Sequence, residues 1–284
     1  MKKDVNINNL FLVTNFWMYL TALSYIHSKG ISSKYVLFLV SERCDLSRLN
    51  DTCKRVSFNP KYYPVISKIY LYLRFFLFSR KLGRCNFYVP FYTEHSKVLI
   101  SMLDLNSIRI IEEGELGYSV HLQKERELKY FPTGFDDFSE FIVTELDSFP
   151  KIERHRKFIV NPLKIKYPYK PFFKDKVNVV LFPAVHRVLM KEVSLYIEMC
   201  LSVVKPPLYI KLHPTWYVTR FELEWFLKIL STIKSSVQIC PNSVILELES
   251  SKFVNLFGPK SSMERIANQT GHLYTRLTFF DKLY

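Results

Sequence analysis

Three short stretches of this 284-residue chain combine residue types that do chemistry. The first is Glu112-Glu113-Gly114, two adjacent carboxylates and a glycine directly after the apolar run 108–111. A carboxylate set in a cleft becomes a general base, because burial raises its proton affinity. The same three residues also serve as a solvated acidic turn. The second is His213-Pro214, which closes the β-rich run 208–212. Proline forces an extended conformation on the residue before it, so the imidazole projects from the carboxyl end of a strand; a lone histidine is also a common structural residue. The third is the run Gly258-Pro259-Lys260-Ser261-Ser262, between a strand pattern and a helix pattern. A serine capping that helix leaves backbone N–H groups and a hydroxyl aimed at an anion. An ordinary helix cap, with Glu264 in the first turn, uses the same residues, and the two roles are compatible.

The elements that must position these residues follow from hydrophobic periodicity. Residues 10–13 read as a strand, 17–27 as a helix stopped near Gly30, and 35–40 as a strand, which is a βαβ opening. A helix is expected over 65–82, a strand over 86–89, a short helix over 98–103 and a strand over 108–111. The alternation then weakens, and Pro150, Pro162, Pro168 and Pro171 stand in a Lys/Tyr-rich segment that reads as a linker. It restarts with strands at 177–182, 208–212, 237–240 and 253–257, and helices at 187–203, at 221–233 and from Ser261. The expected fold class is α/β, with two Rossmann-like domains facing a cleft. The first is expected over 1–160 and the second over 161–284. In parallel sheets ligands bind beyond the carboxyl ends of the strands, which is where all three motifs fall.

Composition narrows the partners. The chain is 48% hydrophobic and 23% charged, a globular balance, and 40 Lys and Arg against 26 Asp and Glu leave a formal charge of +14. Such a charge favours anionic partners: nucleic acid, nucleotide, acidic glycan or anionic lipid. With only 7 glycines there is neither G-x-G-x-x-G nor G-x-x-x-x-G-K-[ST], so a glycine-rich phosphate cradle is excluded. Five dispersed cysteines without C-x-x-C argue against a zinc site and a secreted disulfide framework, and for a reducing compartment. Residues 5–28 carry no charged side chain and follow Lys2 and Lys3, which imitates a signal anchor. Polar breaks such as Asn8, Asn9, Thr14, Asn15 and Thr21 favour a buried strand followed by a helix. Residues 69–84 interleave Tyr70, Tyr72, Phe75, Phe76 and Phe78 with Arg74, Arg80, Lys81 and Arg84, a pattern of a lipid-surface helix or of a core helix with a basic face.

In their order and their halves of the chain, Glu112-Glu113-Gly114, His213-Pro214 and Ser261-Ser262 resemble the D/E-D/E-G, H-P and Ser-pair motifs of bacterial sialyltransferases of the lipooligosaccharide and capsule-polysialyltransferase type. The resemblance implies a GT-B glycosyltransferase that moves sialic acid from CMP-sialic acid to a hydroxyl of a bacterial surface glycan, such as a terminal galactose. It implies Glu112 as general base, with Glu113 beside it, and His213 as the group that contacts the donor phosphate and helps CMP leave. Pro214, Lys260, Ser261 and Ser262 are implied at the CMP phosphate. Glu247 is implied at the ribose with Glu249 as the alternative; Pro241 stands further from that Glu than the family pattern has it. No metal or other cofactor is implied: CMP carries a single phosphate, and the chain has no D-x-D. The implied location is cytoplasmic, and a lipid-linked acceptor would suit peripheral attachment to the inner leaflet. Two other readings stand beside it: a GT-B transferase using another nucleotide sugar, and a basic module binding nucleic acid without catalysis. On the sialyltransferase reading nucleic acid is not a partner.

Overall fold

A computed structural model describes residues 7–58, 73, 75–77, 79–80, 82–90, 94–113, 138–218, 220–233 and 237–283. The chain forms two compact units, 1–42 with 51–166 and 43–50 with 167–284.

The first unit is built on strands β1 (Asn9–Val13), β2 (Val36–Ser41), β3 (Lys54–Phe58), β4 (Cys85–Val89), β5 (Leu105–Ile111), β6 (Phe138–Val143) and β7 (Lys157–Ile159), with helices α1 (Phe16–Ser28) and α2 (Glu94–Met102). All seven strands are parallel, in the order β3-β2-β1-β4-β5-β6-β7. Residues of β1 and β2 are buried on both faces, which is why these strands read as unbroken apolar runs rather than alternating ones. Leu10 lies opposite Leu37, and Phe11 opposite Phe38; the Phe11 ring also stacks on Tyr88 of β4 at 3.9 Å. Helix α1 is buried nearly all round, from Phe16 and Trp17 to Tyr25 and Ile26. A helix of that kind belongs to a core, and each large apolar side chain it buries stabilises the unit by about 1.5–3 kcal/mol. The uncharged stretch 5–28 is therefore strand and core helix across its described residues. Among the described residues no helix is long and apolar enough to cross a membrane.

Strands β3, β6 and β7 and, in the second unit, the strand Tyr274–Arg276 are additions to the sequence reading. β3 has the sequence Lys-Arg-Val-Ser-Phe and β7 has three residues; both lie at sheet edges, where one flank lacks a partner strand and polar side chains are tolerated. The segment expected as a linker from Pro150 thus contributes an edge strand before the first unit ends. Of the expected helix over 65–82, residues 65–72, 74, 78 and 81 lie outside the described residues. In the described part Phe75 is buried, whereas Leu73, Phe76 and Leu77 are exposed and Arg80 lies 4.7 Å over the Phe76 ring.

The second unit holds β8 (Val177–Phe182), β9 (Leu208–Leu212), β10 (Val237–Ile239), β11 (Val254–Gly258) and β12 (Tyr274–Arg276), with helices α3 (Val193–Val203), α4 (Arg220–Thr232) and α5 (Ser262–Thr270). These strands too are all parallel, in the order β10-β9-β8-β11-β12. The order reverses between β8 and β11, as it does between β1 and β4 in the first unit. Such reversal points leave a crevice at the carboxyl ends of the strands. Gly258 ends β11 at this crevice, and a Cβ there would come within 2.9 Å of the Leu181 Cβ, so only glycine lets β11 lie this close to β8. Residues 43–50 leave the β2–β3 connection and join this unit: Leu46 and Leu49 are buried, the Asn50 N–H donates to the Pro168 carbonyl at 3.0 Å, and Leu49 bridges Tyr169. None of the five cysteines is in a disulfide.

Candidate functional site

In the first unit the two acids lie at the end of β5, and their surroundings differ sharply. Glu112 has 0% exposure. Its Oε2 accepts the Thr144 N–H at 2.7 Å, and the Thr144 hydroxyl lies 2.9 Å from Oε1 and 3.0 Å from Oε2. The Glu112 N–H in turn donates to the Ile142 carbonyl. Two groups of Thr144, just past β6, thus tie both carboxylate oxygens, and the side chain fastens two strand ends together. Glu113 is half-buried and reaches the turn between β1 and α1. Its Oε1 accepts from the Thr14 hydroxyl at 2.7 Å, and its carbonyl accepts from Asn15 Nδ2 at 3.0 Å. Asn15 also caps α1, accepting the Met18 N–H at 2.9 Å. The amino end of α1 favours negative charge where Glu113 sits. The general-base role that the resemblance implies for Glu112 therefore has poor geometry, whereas Glu113 has exposure and a positioning partner. Gly114 lies outside the described residues.

In the second unit His213 follows β9 and is exposed. Its Nδ1 lies 3.0 Å from the Thr215 hydroxyl and 3.3 Å from the Thr215 N. That hydroxyl also accepts the Val185 N–H at 3.2 Å, and the Thr215 N–H donates to Nδ1, which makes Nδ1 the acceptor. With Nδ1 as acceptor the ring proton resides on Nε2, the donor edge an anionic oxygen needs. Pro214 opens a single-turn helix, Pro214–Val218, whose Trp216 is fully buried and donates Nε1–H to the Pro183 carbonyl at 2.7 Å. His213 is thereby anchored to residues that follow β8, at the reversal point.

Ser261 follows β11, the other strand of that point. It caps α5 with extended backbone, φ −157° and ψ 168°. Its side chain makes no capping bond, and its Oγ is buried without a hydrogen-bond partner among the described residues. Buried hydroxyls are normally satisfied, and one left open at the first turn of a nine-residue helix is fit to receive an anion together with the free N–H groups there. Lys260 beside it is exposed, and the Ser262 side chain lies outside the described part.

The two candidate ribose ligands also separate. Glu249 is buried, accepting from the Tyr169 hydroxyl at 2.5 Å and from the backbone N–H groups of Phe172 and Phe173. It folds the chain at 169–173 onto the loop and has no oxygen to spare. Glu247 sits on the single turn Leu246–Leu248, and burial pushes its carboxyl above the usual range, opposed by the Lys211 ammonium. Lys211, on β9, is itself buried and donates to the carbonyls of Pro241, Asn242 and Val244 at 2.7–2.9 Å. Burial holds its proton affinity below the ordinary lysine value, with Cys240 and Glu247 opposing. This clamp shapes the loop that carries Glu247. Thr14, Thr144, Thr215 and Lys211 are the positioning residues that motif reading missed. Only Thr215, two places after His213, offered a local signal. Among the described residues no cluster of three or more His, Cys, Asp and Glu is placed to hold a metal.

No protein-family model and no curated protein matches the chain. Solved structures do. A UDP-GlcNAc 2-epimerase from Methanocaldococcus jannaschii, in complex with UDP-GlcNAc and UDP, superposes with a TM-score of 0.56 at 12% identity, covering 96% of this chain and 86% of that one. A UDP-GlcNAc 2-epimerase from Neisseria meningitidis, bound to UDP-GlcNAc, gives 0.54 at 10% identity over 95% and 82%. A 2,6-sialyltransferase from Photobacterium, in complex with CMP and lactose, gives 0.48 at 11% identity over 90% and 68%. At such identities the likeness is one of fold. The fold is GT-B, two α/β units each on a parallel sheet.

Proposed function

We propose that this GT-B protein is a nucleotide-sugar enzyme, and specifically an inverting sialyltransferase. It takes sialic acid from CMP-sialic acid and places it on a hydroxyl of a bacterial surface glycan. The observation that carries the reading is the open, buried hydroxyl of Ser261 at the start of α5. Sheet order sets it across β8 from His213, whose ring is tautomerically fixed through Thr215. That pair offers three kinds of donor to one phosphate: a hydroxyl, helix N–H groups and an imidazole N–H. The first unit supplies the remaining requirement, a positioned and accessible carboxylate in Glu113.

The chemistry follows from those roles. Glu113, in place of Glu112, accepts the proton of the acceptor hydroxyl. The freed oxygen attacks the anomeric carbon from the face opposite CMP, and the bond from that carbon to the phosphate oxygen breaks. Its electron pair leaves with CMP, whose growing charge is met by His213 and the α5 terminus. Attack from the far side inverts the anomeric centre. Glu247 binds the ribose, and Lys260 and Pro214 border the phosphate. No cofactor or metal takes part. The acceptor is lipid-linked, and the exposed Leu73, Phe76 and Leu77 with Arg80 serve peripheral attachment at the cytoplasmic leaflet. Salt-sensitive binding to vesicles of anionic lipid tests that attachment; equal binding to neutral vesicles speaks against it.

A donor screen tests the reaction. The purified protein is incubated with CMP-sialic acid, UDP-GlcNAc and other nucleotide sugars, with and without galactose-terminated acceptors. Release of CMP with sialylated product is expected. Turnover of a UDP-sugar alone, by transfer or by epimerisation, would replace this reading.

A further inference from the structure

We propose that a cavity of about 580 Å³ in the second unit is a binding site for an oxyanion, a phosphate or carboxylate carried on a body the size of a monosaccharide or mononucleotide. Its walls include Arg48, Lys170, Ser47, Asn50, Ser243 and Tyr169, and none of its described lining residues is acidic. Three pieces of chain build it: the excursion 43–50, residues 168–170, and the loop after β10.

Among the described residues Arg48 is held in place by neutral groups alone. Its Nε donates to Ser243 Oγ at 3.3 Å, its Nη1 donates to the Lys170 carbonyl at 3.3 Å, and its guanidinium lies 4.8 Å over the Phe172 ring. These contacts fix the plane of the fork without neutralising it. Among the described residues neither Arg48 nor Lys170 forms an ion pair. Glu249, the carboxylate that bonds Tyr169, has its oxygens taken by that hydroxyl and by the N–H groups of Phe172 and Phe173. Two cations without an acidic partner among the described residues, beside serine hydroxyls and an asparagine amide, match an oxyanion on a hydroxylated body. The wall is also preorganised. Lys211 clamps the carbonyls on both sides of Ser243, those of Asn242 and Val244, so little ordering is left for the ligand to bring about. The cavity shares no residue with the His213 and Ser261 pair, and the inference stands independently of the donor chemistry.

Calorimetric titration of the full chain with inorganic phosphate, CMP and N-acetylneuraminic acid tests it. The background is His213→Ala/Ser261→Ala, which removes the proposed donor-phosphate contacts. In that background at least one probe is expected to bind, more weakly at high salt. Adding Arg48→Met and Lys170→Ala should reduce its affinity about tenfold or more. Phosphate, nucleotide or acid sugar as the tightest probe identifies what carries the oxyanion. Lys170→Ala alone, at an exposed position, should weaken binding about threefold and keeps the test valid should the Arg48 variant unfold. Absence of binding by all three probes, or unchanged affinity in the Lys170 and Arg48 variants, overturns the proposal. Loss of turnover with the cavity still occupied would bear on the transferase reading alone.

Discussion

The paired substitutions Glu112→Gln and Glu113→Gln separate a structural acid from a catalytic one. At Glu112 the change acts on two oxygens bonded to the Thr144 N–H at 2.7 Å and to its hydroxyl at 2.9 Å. Glutamine keeps one carbonyl oxygen for the N–H but turns an amide NH₂ toward the hydroxyl, and the charge that strengthened both bonds is lost. Converting one charge-assisted bond in a site with no solvent costs about 1.5–3 kcal/mol. In a unit of this size that lowers the melting temperature by about 3–12 °C. At Glu113 the 2.7 Å bond from Thr14 is weakened in a half-exposed setting, and the melting temperature should move by less than about 2 °C. Turnover should instead fall roughly a hundredfold or more, about 2.7 kcal/mol of transition-state stabilisation. Thermal unfolding followed by circular dichroism, and CMP release from CMP-sialic acid, read the two effects separately. A stable Glu112→Gln enzyme without activity beside a fully active Glu113→Gln enzyme would refute the reasoning.

His213→Ala and Ser261→Ala should each weaken CMP binding by about 1–3 kcal/mol in calorimetry, and Thr215→Val should act in the same direction by releasing the imidazole; unchanged affinity in all three would place the phosphate elsewhere. Activity should persist after exhaustive treatment with EDTA, and a loss restored by magnesium or manganese would favour a pyrophosphate donor. His272 is buried with Nδ1 2.6 Å from the Thr270 hydroxyl, and burial holds its proton affinity below the ordinary value. The unfolded chain then binds the proton more readily, so this contribution to stability is complete above about pH 6.5 and is lost on acidification. Urea unfolding at about pH 7.5 and about pH 5.5 should show a smaller acid-induced loss in His272→Gln than in the parent, and equal losses would remove His272 as the cause.

The α/β organisation was legible because parallel strands buried on both faces leave continuous apolar runs, as in Leu10–Val13 and in Val36–Val40. The amphipathic spacing of α4 marked a helix for a related reason, its apolar residues recurring on one face. Edge strands lack that signature. The Lys-Arg-Val-Ser-Phe of β3 and the three residues of β7 need cover on fewer sides, so their composition resembles loop, and the Pro-rich stretch concealed β7. The departure of residues 43–50 into the second unit had no local mark either, since Leu46 and Leu49 are apolar residues in any reading.

By itself the sequence determined which residues stand at strand ends: His213 before a proline, Ser261 after Gly258, and the two acids after Ile111. Strand ends follow from local rules, the loss of alternation and the turn-forming residues beyond it. Only the tertiary structure decided what each residue faces. Glu112 and Glu113 are neighbours of identical chemistry, yet one is closed off by Thr144, 32 positions away, and the other meets Thr14, 99 positions away. Glu249 was indistinguishable from Glu247 until Tyr169 and the Phe172 and Phe173 N–H groups were found on its oxygens. Burial and hydrogen bonding of a side chain are set by partners brought in from distant sequence, and local periodicity carries no record of those partners.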